Sequence, residues 1–301
     1  MNFNMIISKK NELTGHIAAV YALCESQGPY IYSGGADKHI VRWNLENPED
    51  AAIIAKIPHS IYAIVEFTEH QLLFIGTSAG QIHVIDLNKK EEIKILKNHN
   101  GKVYDLMLHD NRLYSAGEDG CITITNIPEL QTVQVLKAAS SKIRSMDIKH
   151  HLLAFACGDG YLRQLNLIDL QPLKEIKAHE KAANVVKFHP YKNELISGGW
   201  DAHLKIWNEE LALLKSIPAH NYAIYSIVFS PDHLYMATGS RDKSVKLWKT
   251  ESIELPRTID FEKLKGHQFS VNKLIWHKGV NLLVSAGDDK KIMIWEINKN
   301  A

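Results

Sequence analysis

The 301-residue sequence predicts an all-β protein assembled from seven copies of a four-stranded unit, and three observations predict it. First, an eight-residue segment rich in small residues recurs seven times, from YIYSGGAD (30–37) through LLFIGTSA (72–79), RLYSAGED (112–119), LLAFACGD (152–159), ELISGGWD (194–201) and YMATGSRD (235–242) to LLVSAGDD (282–289). Second, six residues after each copy stands Trp43, Ile85, Thr125, Leu165, Trp207, Trp248 or Trp295, at spacings of 42, 40, 40, 42, 41 and 47. Third, a His precedes each copy, at 16, 59, 99, 179, 220 and 267, with Ser140 in its place in the fourth. A fixed period of this kind marks one supersecondary unit repeated along the chain.

Each unit divides into strands a to d. Strand a is a β-branched and aromatic run such as VYAL (20–23), VYDLML (103–108) or IYSIVF (224–229). A turn such as HPYKN (189–193) or SPDH (230–233) separates it from the recurring segment, which is strand b. Strand c follows a Gly- and Asp-rich turn and ends near the Trp position. A last apolar run, LALLKSI (211–217) in the fifth unit, is strand d and leads to the next His.

Composition narrows the function classes. A hydrophobic fraction of 45% excludes disorder, and 35 Lys+Arg against 34 Asp+Glu argue against a dedicated nucleic-acid surface or a polybasic membrane patch. Cys24, Cys121 and Cys157 have no paired spacing, so neither a disulfide framework nor a zinc knuckle is expected, and a reducing compartment fits better. The start, MNFNMIISKK, has the reverse charge order of a signal peptide, and no apolar run is long enough to span a bilayer. The expectation is a soluble, cytoplasmic protein.

Over the whole chain these features resemble the WD40 family of β-propellers. The marks are the pairs Gly15-His16 and Gly266-His267, then small residues, an Asp and a closing Trp in each repeat. The Trp-Asp dipeptide is nowhere intact, reading Trp43-Asn44, Trp207-Asn208, Trp248-Lys249 and Trp295-Glu296. The resemblance implies a single domain over 1–301, a seven-bladed β-propeller of four-stranded antiparallel blades. Radial blades leave few open sheet edges. Because the seventh repeat has only six residues after Trp295, residues 1–10 are expected to complete the last blade and close the ring, with Asn4–Lys9 as its strand d.

Many polar residues are then absorbed by architecture. In a repeat the His, the strand-b Ser or Thr ten residues before the Trp, the Asp and the Trp can form a hydrogen-bonded chain. The sets are His16, Ser33, Asp37 and Trp43 in blade 1; His179, Ser197, Asp201 and Trp207 in blade 5; His220, Thr238, Asp242 and Trp248 in blade 6; and His267, Ser285, Asp289 and Trp295 in blade 7. Blade 3 keeps His99, Ser115 and Asp119 but has Thr125, and blades 2 and 4 have lost most of the set, so blades 2 to 4 are expected to open more easily than 5 to 7. A Ser, His and Asp together suggest a hydrolytic triad, but four near-identical copies each tied to a Trp argue for a structural role. All sixteen His fall into repeat positions: six before the recurring segment, seven at the a–b turn, and His39, His83 and His203 early in strand c. The adjacent His150 and His151 read as a solvated turn, and with no HExxH or CxxC, no metal or cofactor is expected.

What remains is a short list. Trp200 stands one residue before Asp201, at the b–c turn position filled elsewhere by Ala36, Ser78, Glu118, Gly158, Arg241 and Asp288. The residue after the first apolar position of strand a is Tyr21, Tyr62, Tyr104, Arg144, Asn184, Tyr225 or Asn272. Tyr, Trp and Arg dominate interface hot spots, and proteins resembling this family commonly bind short peptides on the face formed by the d–a and b–c loops, which lie at the same end of every blade. The expected function is a non-catalytic protein-interaction scaffold or adaptor, monomeric on its own. Its partner-binding residues are Tyr21, Tyr62, Tyr104, Arg144, Trp200, Tyr225 and Arg241, with Arg144 and Arg241 pairing an acidic or phosphorylated group. The plainer alternative is that the tyrosines fill the channel with their hydroxyls in water. A single-stranded nucleic-acid binder stacking bases on the tyrosines is a second reading, opposed by the charge balance. A ubiquitin-ligase substrate receptor is a third, opposed by Trp207-Asn208-Glu209 where Trp-Asp-Arg is usual. An enzyme comes last, because strand a offers no paired carboxylates and no unassigned His. The long segment Lys249–Lys263 is either an extended c–d hairpin or a second contact loop.

Overall fold

Each repeat forms one four-stranded sheet with its strands in the order a, b, c, d. The computed structural model describes residues 5–254 and 257–299; residues 1–4, which include Asn4 of the expected closing strand, and Leu255 and Pro256 of the 249–263 segment lie outside them. In blade 3 the strands are Val103–His109, Arg112–Gly117, Cys121–Asn126 and Gln131–Lys137. In blade 4 they are Ile143–Lys149, Leu152–Cys157, Tyr161–Asn166 and Pro172–Lys177, and in blade 5 Ala183–Phe188, Glu194–Gly199, His203–Asn208 and Leu213–Pro218. Strand b is buried on both faces, which its run of small and apolar residues permits. Strand d is the outer edge and carries Lys and Glu on its exposed face, the usual protection of an unpaired edge.

The N-terminal strand, Met5–Leu13, pairs antiparallel with Ile292–Lys299 and supplies strand d of blade 7. Its last residue, Leu13, is buried against Ile31, Trp43 and Ile292. In blade 6 the 249–263 segment contains the short strand d, Arg257–Ile259, and runs into a one-turn helix, Phe261–Leu264, whose first turn is capped by Asp260 Oδ1 accepting from the Lys263 N–H at 2.9 Å.

The blades group into two compact units: Ile61–Ile224, with blades 2 to 5, and Met1–Ser60 with Tyr225–Ala301, with blades 1, 6 and 7. The core of the first includes Ile122, Met146, Leu153 and Phe155, and that of the second Val20, Ile31, Leu45, Leu282 and Ile294. Two local devices repeat. The residue following the structural Asp position of every b–c turn is left-handed: Lys38, Gly80, Gly120, Gly160, Ala202, Lys243 and Lys290. In blade 4 this residue must be Gly, because a Cβ on Gly160 would lie 2.0 Å from the Lys181 carbonyl oxygen. The second device, a bulge in strand a, builds the candidate site.

Candidate functional site

The structure first shows what the repeated polar residues do. In blade 5 His179 Nδ1 lies 2.8 Å from Asp201 Oδ1 and its Nε2 2.9 Å from Ser197 Oγ, which accepts the Trp207 Nε1–H at 2.9 Å. Trp can only donate and a carboxylate only accept, so a neutral ring allows one polarity: Trp207 to Ser197, Ser197 to His179, His179 to Asp201. Burial lowers the His179 pKa, keeping the ring neutral, against the opposing pull of Asp201. Burial would raise the Asp201 carboxyl, but the His179 hydrogen bond, the His203 N–H and the charge of Lys205 hold it far below the usual carboxylate range. Blade 1 repeats the chain with His16, Ser33, Asp37 and Trp43 at 2.7 Å for each link. Blade 7 repeats it with His267, Ser285, Asp289 and Trp295 at 2.8–2.9 Å. In blade 6 Trp248 donates to Thr238 Oγ1 at 2.9 Å, His220 is buried, and Asp242 Oδ1 accepts from Ser244 N–H and O–H at 3.0 and 2.6 Å.

The incomplete blades are repaired by residues the repeat pattern does not flag. In blade 3, without a Trp, Ser115 Oγ is 2.6 Å from Thr123 Oγ1, and Thr125, Thr132 and Asn98 complete a hydroxyl and amide network. In blade 4 Asp159 has no His, and Arg163 grips it bidentately at 3.0 and 3.2 Å while also reaching Glu175 at 2.8 Å. The place of the missing His is not taken by Ser140, which is exposed, but by the buried Ala139, whose N–H donates to the Gly120 carbonyl as the His179 N–H does to that of Gly160. Ser141 accepts the Asp159 N–H at 3.2 Å. Blade 2 has no polar set; Ile75 and Ile85 fill it with apolar packing, and the buried His83 instead meets Glu92 at 2.5 Å.

The strand-a candidates share a backbone feature. In blade 1 Val20 pairs with Gly35 and Ala22 with Gly34, so Tyr21 is the extra, bulged residue. The same register shift skips Tyr62, Tyr104, Arg144, Asn184 and Asn272. A bulge frees one residue from the ladder and re-aims its side chain, which explains why one repeat position carries such varied residues. Two of the six turn inward to stitch strands: Asn184 Nδ2–H donates to the Ile224 carbonyl and Asn272 Nδ2–H to that of Val20, both at 3.0 Å.

In the unit Ile61–Ile224 the remaining bulge residues gather. The Tyr62 and Tyr104 rings meet edge to face at 5.8 Å, and the Arg144 guanidinium lies 5.6 Å from the Tyr104 ring centre. Lys102 Nζ stands 5.8 Å from the Tyr62 ring and 3.9 Å from Glu118, to which the Tyr104 O–H donates at 3.4 Å. Tyr104 therefore faces a carboxylate rather than water alone; burial, then Glu118, pushes its pKa up to about 12. The b–c turns hold these groups together, because Glu118 N–H donates to the Lys102 carbonyl, Gly158 N–H to Lys142 and Trp200 N–H to Ala182 at 2.8–2.9 Å. Each turn is thus clamped to the residue just before its own strand a, where Lys102 and Lys142 stand. Lys142 lies across Gly158: a Cβ there would come within 2.6 Å of Lys142 Cγ. Trp200 is 39% exposed, and Tyr222, which the repeat pattern does not single out, is 59% exposed.

In the other unit Tyr21 is half-buried, with its pKa raised by burial and then by the charge of Asp288, which also accepts from Asn272 at 2.7 Å. Tyr225 is the second residue of strand a of blade 6, and Arg241 is exposed in the b–c turn of that blade. Ile17 and Phe269, in the loops after His16 and His267, are 74% and 56% exposed, and the repeat pattern does not single them out either. His150 and His151 are exposed, and no cluster fit to hold a metal occurs among the described residues.

The family model described as "WD domain, G-beta repeat" matches residues 7–44, 170–208, 211–249 and 260–296, together just over half of the chain. Each matched segment holds one of the four closing Trp residues. "WD and tetratricopeptide repeats protein 1" of Mus musculus and of Homo sapiens is 29% identical over 119 residues, 37% of this chain and 17% of the relative. "Nuclear pore complex protein nup43" of Dictyostelium discoideum is 28% identical over 98 residues, 31% of this chain and 24% of the relative. The chain thus spans less than a quarter of the length of these curated relatives. Among solved structures, the WD40 beta propeller domain of Doa1 has a TM-score of 0.86 over 97% of each chain at 16% identity, a likeness of fold alone. Seven four-stranded blades, the Trp-to-Ser/Thr bonds inside four of them and the family match together make this chain a member of the WD40 repeat family with a seven-bladed β-propeller fold.

Proposed function

We propose that the chain is a non-catalytic protein-interaction scaffold, one propeller domain that binds a short segment of a partner protein on its strand-a bulges and b–c turns. The observation that carries this reading is the bulge itself. It releases Tyr21, Tyr62, Tyr104 and Arg144 from the ladder at a place where Asn184 and Asn272 show the default structural use. Rigid aromatic side chains with a polar tip supply contact area at low entropic cost, and exposed Trp200 and Tyr222 extend that area. The Ser-His-Asp sets do not make it an enzyme, since Ser33, Ser197 and Ser285 are fully buried and engaged by Trp and His, and Ser115 is fully buried between His99 and Thr123. The reading places the chain in the cytoplasm. Cys24, Cys121 and Cys157 are free thiols, and burial pushes Cys157 up to about 12, which suits a reducing compartment and an inert role. No helix among the described residues is long and apolar enough to cross a membrane.

The test is affinity purification from the native host, comparing wild type with Tyr104→Ala and Trp200→Ala variants of unchanged melting temperature. Loss of the same partners from both variants is expected. Identical partner sets would reject this surface.

A further inference from the structure

Three cations crowd the bulge cluster of the unit Ile61–Ile224 with one carboxylate among them. Lys102 lies 3.9 Å from Glu118. Arg144 sits against Tyr104, and its Nε is buried without a hydrogen-bond partner. Lys142 is packed over the bare backbone of Gly158. Its ammonium is held below the ordinary lysine value by burial first, then by the like charge of Arg144, with Lys102 adding and Glu118 opposing. Like charges in one neighbourhood destabilise each other unless a counter-charge joins them. The turn geometry fixes the main chain beneath both lysines, since the Glu118 and Gly158 N–H groups bond to the carbonyls of Lys102 and Lys142. Once Glu118 is set against one lysine, the cluster keeps an excess of about two positive charges, the complement of a phosphoryl group at neutral pH.

We propose that Lys102, Lys142 and Arg144 seat a phosphoryl group carried on a serine, threonine or tyrosine of the docked protein segment. The proposal rests on the scaffold reading above. In this seat Arg144 turns its open Nε–H to a phosphoryl oxygen while Lys142 supplies a point charge, and Tyr62 and Tyr104 pack against the flanking residues. A nucleic acid fits less well: it needs cations strung along successive phosphates, and a chain with 35 Lys+Arg against 34 Asp+Glu carries almost no net charge to supply such a track.

The test uses the full chain and fluorescence anisotropy with two labelled pools of degenerate peptides that differ only at the central residue, phosphoserine or serine. A labelled single-stranded oligothymidine is the third probe. Wild type should bind the phosphoserine pool about tenfold more tightly than the serine pool, the worth of about one charge-assisted hydrogen bond. The preference should fall to about twofold or less in Lys142→Gln and in the Lys142→Gln/Arg144→Gln pair. Inorganic phosphate should compete with the phosphoserine pool alone. Gly158→Ala, which displaces Lys142 without changing a charge, should reduce the preference in the same direction. Equal binding of both pools that is lost in Trp200→Ala would overturn the phosphoryl seat and leave the docking surface standing. Binding of neither pool would overturn both. Tighter binding of the oligothymidine than of the phosphoserine pool would overturn the seat in favour of a nucleic acid.

Discussion

Replacing Ser197 by Ala removes one oxygen and orphans two buried groups. Ser197 is completely buried, and its hydroxyl both accepts the Trp207 Nε1–H and donates to His179 Nε2, each at 2.9 Å. Trp207 and His179 are 4% and 1% exposed, so water cannot replace the lost partner without opening the blade. An unsatisfied buried polar group costs about 1–3 kcal/mol, so Ser197→Ala, which orphans two, should destabilise by about 2–6 kcal/mol, well beyond an ordinary Ser→Ala change. The informative measurement is a double-mutant cycle with Trp207→Phe, by urea denaturation followed through both fluorescence and circular dichroism. Once the indole N–H is gone, Ser197→Ala orphans one group fewer, and the two substitutions should show a coupling energy of about 1–2 kcal/mol. Coupling within about 0.3 kcal/mol of zero, or a Ser197→Ala cost below about 0.5 kcal/mol, would refute the chain as a stabilising element.

Leu13→Ala should cost about 2–4 kcal/mol in the same denaturation assay, because Leu13 is 2% exposed and packs the N-terminal strand onto Ile31 and Trp43; a negligible cost would mean that strand is not docked. Stability should fall as pH drops below about 6.5, because burial lowers the His179 pKa and the unfolded chain therefore binds a proton that the folded blade refuses. A second loss should begin below about pH 3.9, where the unfolded chain protonates Asp201 while the folded one, its pKa depressed, does not. Melting temperatures across pH should show a shallower fall between about 7.5 and 5 for His179→Gln than for wild type, and equal slopes would contradict the assignment. Arg163→Met should cost about 1–2 kcal/mol by releasing Asp159, and should lower amide hydrogen-exchange protection in Tyr161–Asn166, whereas wild-type blade 4 should be protected about as well as blade 5.

That last expectation reverses the one drawn from sequence, and the reason is physical. The number of blades, the order of strands, the use of the N-terminal strand and the hydrogen-bonded residues of blades 1, 5 and 7 were legible because a fixed period makes each residue comparable with six others. Compensation is not periodic. Arg163 stands two residues before Leu165, where the other blades have Val41, His83, Thr123, Lys205, Lys246 and Met293, so no pattern marks it as the partner of Asp159. Thr123 and Asn98 escape notice in blade 3 for the same reason. The candidate surface was half legible. Its tyrosines stood out by type, but the bulge that frees them is one unpaired residue, invisible in an apolar run. Lys102 and Lys142 carry no mark in the repeat pattern, because what ties them to the site is the bonding of their carbonyls to the b–c turn N–H groups.

The strand-a position shows how one backbone feature divides between architecture and function. A bulged residue has lost its ladder pairing and must find other partners. Asn184 and Asn272 find them in the Ile224 and Val20 carbonyls, and deeper in strand a Ser226 Oγ accepts the Leu274 N–H at 3.0 Å and Asp105 Oδ2 the Met146 N–H at 2.7 Å. Polar residues small enough to reach the adjacent backbone are thus consumed by the fold. Tyr and Arg are too long for that role. At Tyr62, Tyr104 and Arg144 they lean on one another instead, leaving the Arg144 Nε–H without a hydrogen-bond partner. The same argument predicts the outcome of exchanging the two solutions. Arg144→Asn should place a short amide where Asn184 has one and remove the open donor together with one of the two excess charges. It should leave stability within about 0.5 kcal/mol of wild type while abolishing discrimination between phosphorylated and unmodified peptide. A variant that loses stability and discrimination together would show that Arg144 belongs to the architecture after all.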